Sequence, residues 1–296
     1  MVASLQQFFL GIQMSEIVAI VGAGTMGSGI AQAATVSGFD AVLIDVNDTA
    51  LEKAHASLMQ SLDRLVAKGK LDVSTRHAAL SRLRLSTDYQ QLASAHITIE
   101  AASESIALKT QLLTRIESVV RPDSIIATNT SSISITLLGA ALSHPSRFVG
   151  MHFFNPVALM PLVEVIRGLH TTDATADYVR QFAAFLGKSA ILVKNSPGFV
   201  VNRILVPMIN EAFCLLAEHT ASAKEIDDGM KLGANHPIGP LALGDLIGLD
   251  VCLAVMDVLY EDFRDPKYRP CPLLREYVAA GWLGRKTQRG VFPYKD

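Results

Sequence analysis

Residues 16–45 read EIVAIVGAGTMGSGIAQAATVSGFDAVLID. The stretch opens on an apolar, β-branched run ending at Val21, the pattern of a strand buried on both faces. Gly22-Ala23-Gly24-Thr25-Met26-Gly27 then makes a tight turn, and Ser28 to Ser37 carries a helical pattern that stops at Gly38. Asp40 to Ile44 is a second strand, closed by Asp45. Strand, glycine turn, helix, strand and acid in this order form the cradle of a dinucleotide. Gly22 permits the turn, Gly24 lets the backbone approach a pyrophosphate, and Gly27 lets the helix pack closely on the strand. The helix N-terminus offers N–H groups and a positive dipole end to the phosphates. Asp45 stands where it accepts hydrogen bonds from ribose hydroxyls. Its charge repels a 2′-phosphate and no arginine follows at once, so NAD is expected rather than NADP.

The same alternation continues downstream. Ala50 to Lys68 and Val73 to Leu80 read as a helical hairpin with a basic end at Arg64, Lys68 and Lys70, inserted before a strand near Leu83 to Ser86. That basic end fits a solvated face at a helix C-terminus or a patch for a phosphorylated substrate. Ile97 to Ala101, Ser124 to Thr128, Arg147 to Phe154, Leu162 to Ile166 and Ala190 to Lys194 read as further strands. Glu104 and the run Asn129-Thr130-Ser131-Ser132 follow strand ends, where ligands sit in open α/β sheets. Ser131 or Ser132 equally fits the N-cap of a helix expected over Ile133 to Leu142.

At Asn195-Ser196-Pro197-Gly198 the character changes to helical periods over Phe199–Glu218, Ser222–Leu232 and Asp250–Phe263, with Pro237, Pro240 and Pro266 read as breakers. The fold class is therefore α/β: a Rossmann-type doubly wound sheet with an inserted helical hairpin over residues 14–196, followed by an all-helical domain over 197–296. Residues 1–13 are apolar but short and lack a preceding basic residue. They are expected to be an N-terminal extension rather than a signal peptide or a membrane span.

Of 296 residues, 50% are hydrophobic and 18% charged, and the net charge is −2, which favours neither nucleic acid nor an anionic membrane as partner. Cys214, Cys252 and Cys271 show no metal-ligand or disulfide spacing, which fits reduced thiols in a cytoplasmic protein and no zinc site. No Gly-x-Ser-x-Gly elbow and no Walker lysine is present, against hydrolase and kinase chemistry.

Two apolar strands carry one imidazole and one carboxylate, His152 and Glu164. A carboxylate taken out of water must find a partner or lose its charge. Beside an imidazole it orients the ring and stabilises the protonated form, as a general base near neutral pH requires. A salt bridge joining two strands is the competing reading. Asn202, on the apolar face of the first helix of the second domain, either ties the domains together or reaches into a cleft.

The ordered motifs resemble the L-3-hydroxyacyl-CoA dehydrogenase family. They are the glycine turn, Glu100-Ala101 through Glu104 to Lys109, Asn129 to Ser132, Met151-His152-Phe153-Phe154-Asn155-Pro156, Val163-Glu164-Val165, Pro197 to Arg203, Lys231 to Pro240, and Gly281 to Thr287. The resemblance covers residues 14–296, and the run from Lys231 to Thr287 is particularly similar to bacterial 3-hydroxybutyryl-CoA dehydrogenases. It implies NAD-dependent interconversion of (3S)-3-hydroxyacyl-CoA and 3-oxoacyl-CoA, on a short chain such as 3-hydroxybutyryl-CoA. It also implies that His152 is the base, that Glu164 orients it, and that Ser131 and Asn202 hold the substrate oxygen and the histidine's surroundings. Glu104, Lys109, Ser131, Asn155 and Lys286 would line the cofactor site with Gly22, Ala23, Gly24, Thr25, Met26, Gly27 and Asp45. Ser61 and Lys68 would contact coenzyme A, and two copies would pair through the helical domain. Two alternatives stay open: a 3-hydroxyadipyl-CoA dehydrogenase of aromatic degradation, and a non-catalytic, crystallin-like NAD-binding protein. Gln288 to Tyr294 departs from the family's glycine-phenylalanine-tyrosine order, so the tail near Lys286 is expected to pack differently.

Overall fold

The computed structural model describes residues 16–294; the expected extension over 1–13 lies outside the described residues. The chain divides into two compact units between Asn195 and Ser196.

The first unit is built on one eight-stranded sheet. Its strands are β1 (Ile17–Val21), β2 (Asp40–Ile44), β3 (Leu83–Ser86), β4 (Ile97–Glu100), β5 (Ile125–Thr128), β6 (Phe148–Phe153), β7 (Leu162–Arg167) and β8 (Ser189–Lys194), in the order β3-β2-β1-β4-β5-β6-β7-β8. The strands from β3 to β6 run parallel, β7 is antiparallel to β6, and β8 runs parallel to β7. Helices α1 (Thr25–Val36), α2 (Asp48–Ala67), α3 (Val73–Ser81), α4 (Ile106–Glu117), α5 (Ile135–Gly139) and α6 (Asp173–Phe185) join or flank them. The central strands are mainly apolar because both faces are covered; β4 and β6 are buried along their whole length, Thr98, Glu100 and His152 included. Phe39 sits in this core with its ring edge-on to those of Phe182 and Phe185.

Two features of the sheet position the site. The strand order reverses between β1 and β4, which opens a crevice at their carboxyl ends. Residues 154–161 between β6 and β7 are too few for a parallel crossover, so the chain turns straight back. In the resulting register His152 stands directly opposite Glu164.

The serine reading needs correction. The helix expected over Ile133 to Leu142 is the short α5, and its cap is Ser134, whose hydroxyl accepts from the Leu137 N–H at 3.3 Å. Ser131 and Ser132 do not cap it, because α5 begins only after Ser134; their hydroxyls instead donate to the charged acceptor Glu104.

The second unit is helical: α7 (Val201–Ala217), α8 (Ala223–Gly233), α9 (Pro240–Ile247), α10 (Leu249–Phe263) and α11 (Pro272–Ala279). Its core gathers Ile209, Phe213, Leu241, Leu249, Met256, Leu259 and Leu274. Pro240, read as a breaker, opens a helix instead, as Pro272 also does, since the first helical position needs no N–H. Buried Asn210 of α7 accepts from the Cys271 N–H at 2.7 Å and donates to the Arg269 carbonyl at 3.2 Å, which fixes the start of α11.

Candidate active site

His152 is 6% exposed and Glu164 is fully buried. The ring Nδ1 lies 2.7 Å from Glu164 Oε2, a contact that fixes the orientation of the imidazole and engages Nδ1 rather than Nε2. The Phe154 ring packs against the imidazole, centroids 4.6 Å apart. Asn129, at the end of β5, accepts from the Phe153 N–H at 2.8 Å and so ties the strand end that carries the histidine. Nothing local in the sequence marks that bond; only the end-of-strand position of Asn129 hints at it.

The glycine turn lies at the reversal point. Gly22 has φ of +110°, a conformation L side chains rarely adopt, and a Cβ there would fall 2.8 Å from the Ala101 carbonyl oxygen. A Cβ on Gly27 would meet the Gly22 carbonyl oxygen at 1.8 Å, so helix and turn fit only without it. Gly24 differs, for its Cβ would meet nothing within 4 Å. That open approach beside the first turn of α1 fits the pyrophosphate of NAD. Thr25 and Met26 begin α1, and the Ala23 N–H donates to Asp45 Oδ2 at 2.8 Å, which holds the acid at the lip of the turn.

Between these two features stands Glu104. Its Oε1 accepts from the Thr130 hydroxyl at 2.6 Å, from the N–H and hydroxyl of Ser131 at 2.9 and 3.1 Å, and from those of Ser132 at 3.1 and 3.2 Å. Burial opposes its charge, but Lys109 and the bonds from Thr130 and Ser131 prevail and hold the carboxyl below the usual glutamate range. Lys109 itself is 1% exposed; its ammonium meets both oxygens of Glu100 at 2.9 Å and lies 3.5 Å from Glu104 Oε2.

Residues 17–196 match the NAD-binding domain of 3-hydroxyacyl-CoA dehydrogenases, and residues 198–294 match the C-terminal domain of the same enzymes. The chain belongs to the 3-hydroxyacyl-CoA dehydrogenase family. It is 49% identical over 278 residues to a 3-hydroxybutyryl-CoA dehydrogenase of Bradyrhizobium diazoefficiens, covering 94% of this chain and 95% of that one. A Clostridioides difficile protein of the same description is 48% identical, covering 93% and 98%. Among solved structures, the (S)-3-hydroxybutyryl-CoA dehydrogenase of Ralstonia eutropha superposes with a TM-score of 0.92 at 58% identity, covering 95% of this chain and all of that one. As a 3-hydroxyacyl-CoA dehydrogenase the protein is an NAD-dependent oxidoreductase that interconverts 3-hydroxyacyl-CoA and 3-oxoacyl-CoA.

The remaining expected residues fall as follows. Asn155 is exposed, two residues beyond β6. Ser61 lies in α2 and Lys68 ends it about two turns on, hence on one face of the hairpin that Arg76 and Asp63 clamp at 2.6 Å. In the helical unit Asn202 sits half-buried in the first turn of α7, and the Lys286 ammonium rests on both oxygens of Asp250 at 2.6 Å. The departing tail is anchored by buried Asp245, which accepts from the N–H groups of Val291 and Phe292 and from the Tyr294 hydroxyl, each at 2.9 Å. Glu100 escaped the sequence reading as a partner. A carboxylate ending an otherwise apolar strand was the available signal.

Proposed function

We propose that this dehydrogenase acts on short (3S)-3-hydroxyacyl-CoA substrates such as 3-hydroxybutyryl-CoA. His152 serves as the general base and Glu164 holds its tautomer and balances the imidazolium. The observation that carries the reading is the 2.7 Å contact between two buried groups at the carboxyl edge of the sheet. In the oxidative direction Nε2 takes the hydroxyl proton; in the reductive direction the imidazolium returns it to the carbonyl oxygen. The chemistry NAD supplies when bound is hydride exchange at the substrate's C3. Gly22 to Gly27 and Asp45 hold the dinucleotide, and Glu104, Lys109, Asn155 and Lys286 complete its surroundings. Ser131 and Asn202 hold the substrate oxygen, and Ser61 and Lys68 hold coenzyme A. The relatives described as 3-hydroxybutyryl-CoA dehydrogenases support the short chain.

The protein works as a homodimer joined through its helical unit, where Ile204, Leu232 and Leu246 are 69%, 86% and 51% exposed. It resides in the cytoplasm, a reading supported by three free cysteines. Among the described residues no helix is long and apolar enough to cross a membrane.

The test is loss of NADH absorbance with acetoacetyl-CoA, set beside longer 3-oxoacyl-CoA esters and a dicarboxylic one. Highest kcat/KM on acetoacetyl-CoA is expected. Preference for the dicarboxylic ester assigns the enzyme to 3-hydroxyadipyl-CoA, and no turnover on any ester overturns the assignment. Light scattering on the eluted peak reads the dimer.

A further inference from the structure

Glu100 closes β4, is fully buried, and takes no part in the proton transfer described above. Its Oε1 accepts from the Ala102 N–H at 2.6 Å and its Oε2 from the Thr128 hydroxyl at 2.6 Å, while the Lys109 ammonium lies 2.9 Å from each. The same ammonium donates to the Ala102 carbonyl at 3.2 Å and stands 3.5 Å from Glu104 Oε2. Glu104, through its other oxygen, holds Ser131 and Ser132. A continuous set of contacts therefore runs from the end of β4, through the first turn of α4, to the serines beyond β5.

One buried cation stands between two anions. Glu100 takes it with both oxygens, which leaves Glu104 only the longer contact and keeps Glu104 Oε1 for the serine turn. With Glu100 neutral, the ammonium has a single anion left in a poorly screened interior, and attraction draws it onto Glu104. The Glu104 carboxylate then swings toward α4 and the Ser131 hydroxyl loses its place.

We propose that Glu100 is a positioning residue for the dehydrogenase reaction, holding the Lys109 ammonium so that Glu104 can fix Ser131 where the substrate oxygen is received. The inference rests on the role given to Ser131 above. A buried ion pair is a poor device for stability alone, because desolvation offsets most of the attraction.

The experiment is steady-state kinetics with acetoacetyl-CoA at saturating NADH, on the wild type, Glu100→Gln and the double variant Glu100→Gln/Lys109→Met, with folding followed by circular dichroism. Glu100→Gln should lower kcat/KM by about tenfold or more, with a raised KM for acetoacetyl-CoA, since small displacements of a positioning group are costly. With NADH raised to saturation for each variant, so that the place of Lys109 beside the cofactor does not limit the rate, adding Lys109→Met removes the misplaced cation and should recover at least about threefold of that loss, the non-additivity expected of coupled neighbours. A merely structural role lowers kcat through lost folded enzyme, leaves KM unmoved, and is not repaired by a second substitution. The proposal is overturned if Glu100→Gln stays within about twofold of wild type, if only kcat falls, or if the double variant is no better than the single. Should Glu100→Gln not fold, Thr128→Val loosens the same carboxylate with both charges kept. KM should then rise about two- to threefold, and an unchanged KM overturns the proposal. A wild type inactive on every 3-oxoacyl-CoA fails the functional reading, whereas an active wild type with an indifferent Glu100→Gln fails this inference alone.

Discussion

The two units place acidic side chains in different company. In the sheet unit buried Glu164 meets an imidazole, buried Glu100 an ammonium, a hydroxyl and one backbone N–H, and partly exposed Glu104 three hydroxyls and two backbone N–H groups. In the helical unit Asp227 accepts from the Leu241 and Ala242 N–H groups at 2.8 and 3.0 Å, and Asp245 from the Val291 and Phe292 N–H groups. A backbone donor neither titrates nor rotates away, so those aspartates, Asp245 with the Tyr294 hydroxyl besides, hold chain. Side-chain partners can give up protons or exchange partners, so those glutamates support chemistry. Three glycines show a similar contrast. A Cβ on Gly24 would enter open space, whereas one on Gly290 would fall 1.9 Å from Asp245 Oδ1 and one on Gly239 2.2 Å from Asp227 Cγ. The turn at Gly24 thus leaves its approach open, and the helical unit fills the space at Gly239 and Gly290 with its own carboxylates.

The sharpest break in this contrast comes at the dyad. His152→Gln should cut kcat by roughly 10² to 10⁴ while NADH binding, read by fluorescence titration, holds within about twofold. Substantial surviving turnover would place the base elsewhere. Glu164→Gln should cost on the order of 10- to 100-fold in kcat and move the acid limb of the pH–rate profile, because an amide does not stabilise imidazolium. An unmoved profile would return Glu164 to the holding class with Asp227 and Asp245.

The glycines allow a subtler comparison. Gly24→Ala should leave the thermal midpoint near wild type yet weaken NADH binding about tenfold, since the added methyl meets the ligand and not the protein. Asp245→Ala should instead destabilise the helical unit by about 1–3 kcal/mol by stranding partly buried N–H groups. Trp282, the single tryptophan, reports that unfolding in urea. A Gly24 variant that unfolds, or an Asp245 variant that does not, would erase the distinction.

Acid gives the smallest and most specific effect. The Glu104 pKa is depressed in the fold, so its contribution to stability is present above the unfolded pKa and is lost as pH falls through the folded one. Asp227 is raised, first by burial, which outweighs the backbone bonds from Leu241 and Ala242. Its contribution is full below the unfolded pKa and disappears as pH rises through the folded one. Between roughly pH 5 and 3, Glu104→Gln should therefore flatten the fall of the unfolding midpoint and Asp227→Asn should steepen it. Both slopes moving the same way would contradict the assigned environments.

Much of the sheet was legible because its strands advertise themselves. Ile17–Val21 and Phe148–Phe153 are apolar runs with turn residues beyond, and the period needs no partner to be read. The reversal at β7 belongs to the length of a connection rather than to any residue. The starts of α9 and α11 were hidden because Pro240 and Pro272 look the same before a helix as after one. In the site, His152 and Glu164 stood out as the lone polar residues of two apolar runs. Lys109 did not, because a lysine near a helix start is ordinarily solvated. Only the fold shows that Glu100, on another element, draws its ammonium inside.

Glu104 Oε1 attracts five donors, and an oxygen has lone pairs for about two. The acceptor is oversubscribed, so its donors share and the longer bonds are individually weak. When one hydroxyl turns to a ligand, the carboxylate is not stranded, because the remaining donors take up the slack. The serine turn thus carries a surplus of hydrogen-bond donors, an inventory from which one can be lent to an arriving carbonyl oxygen without leaving a deficit behind.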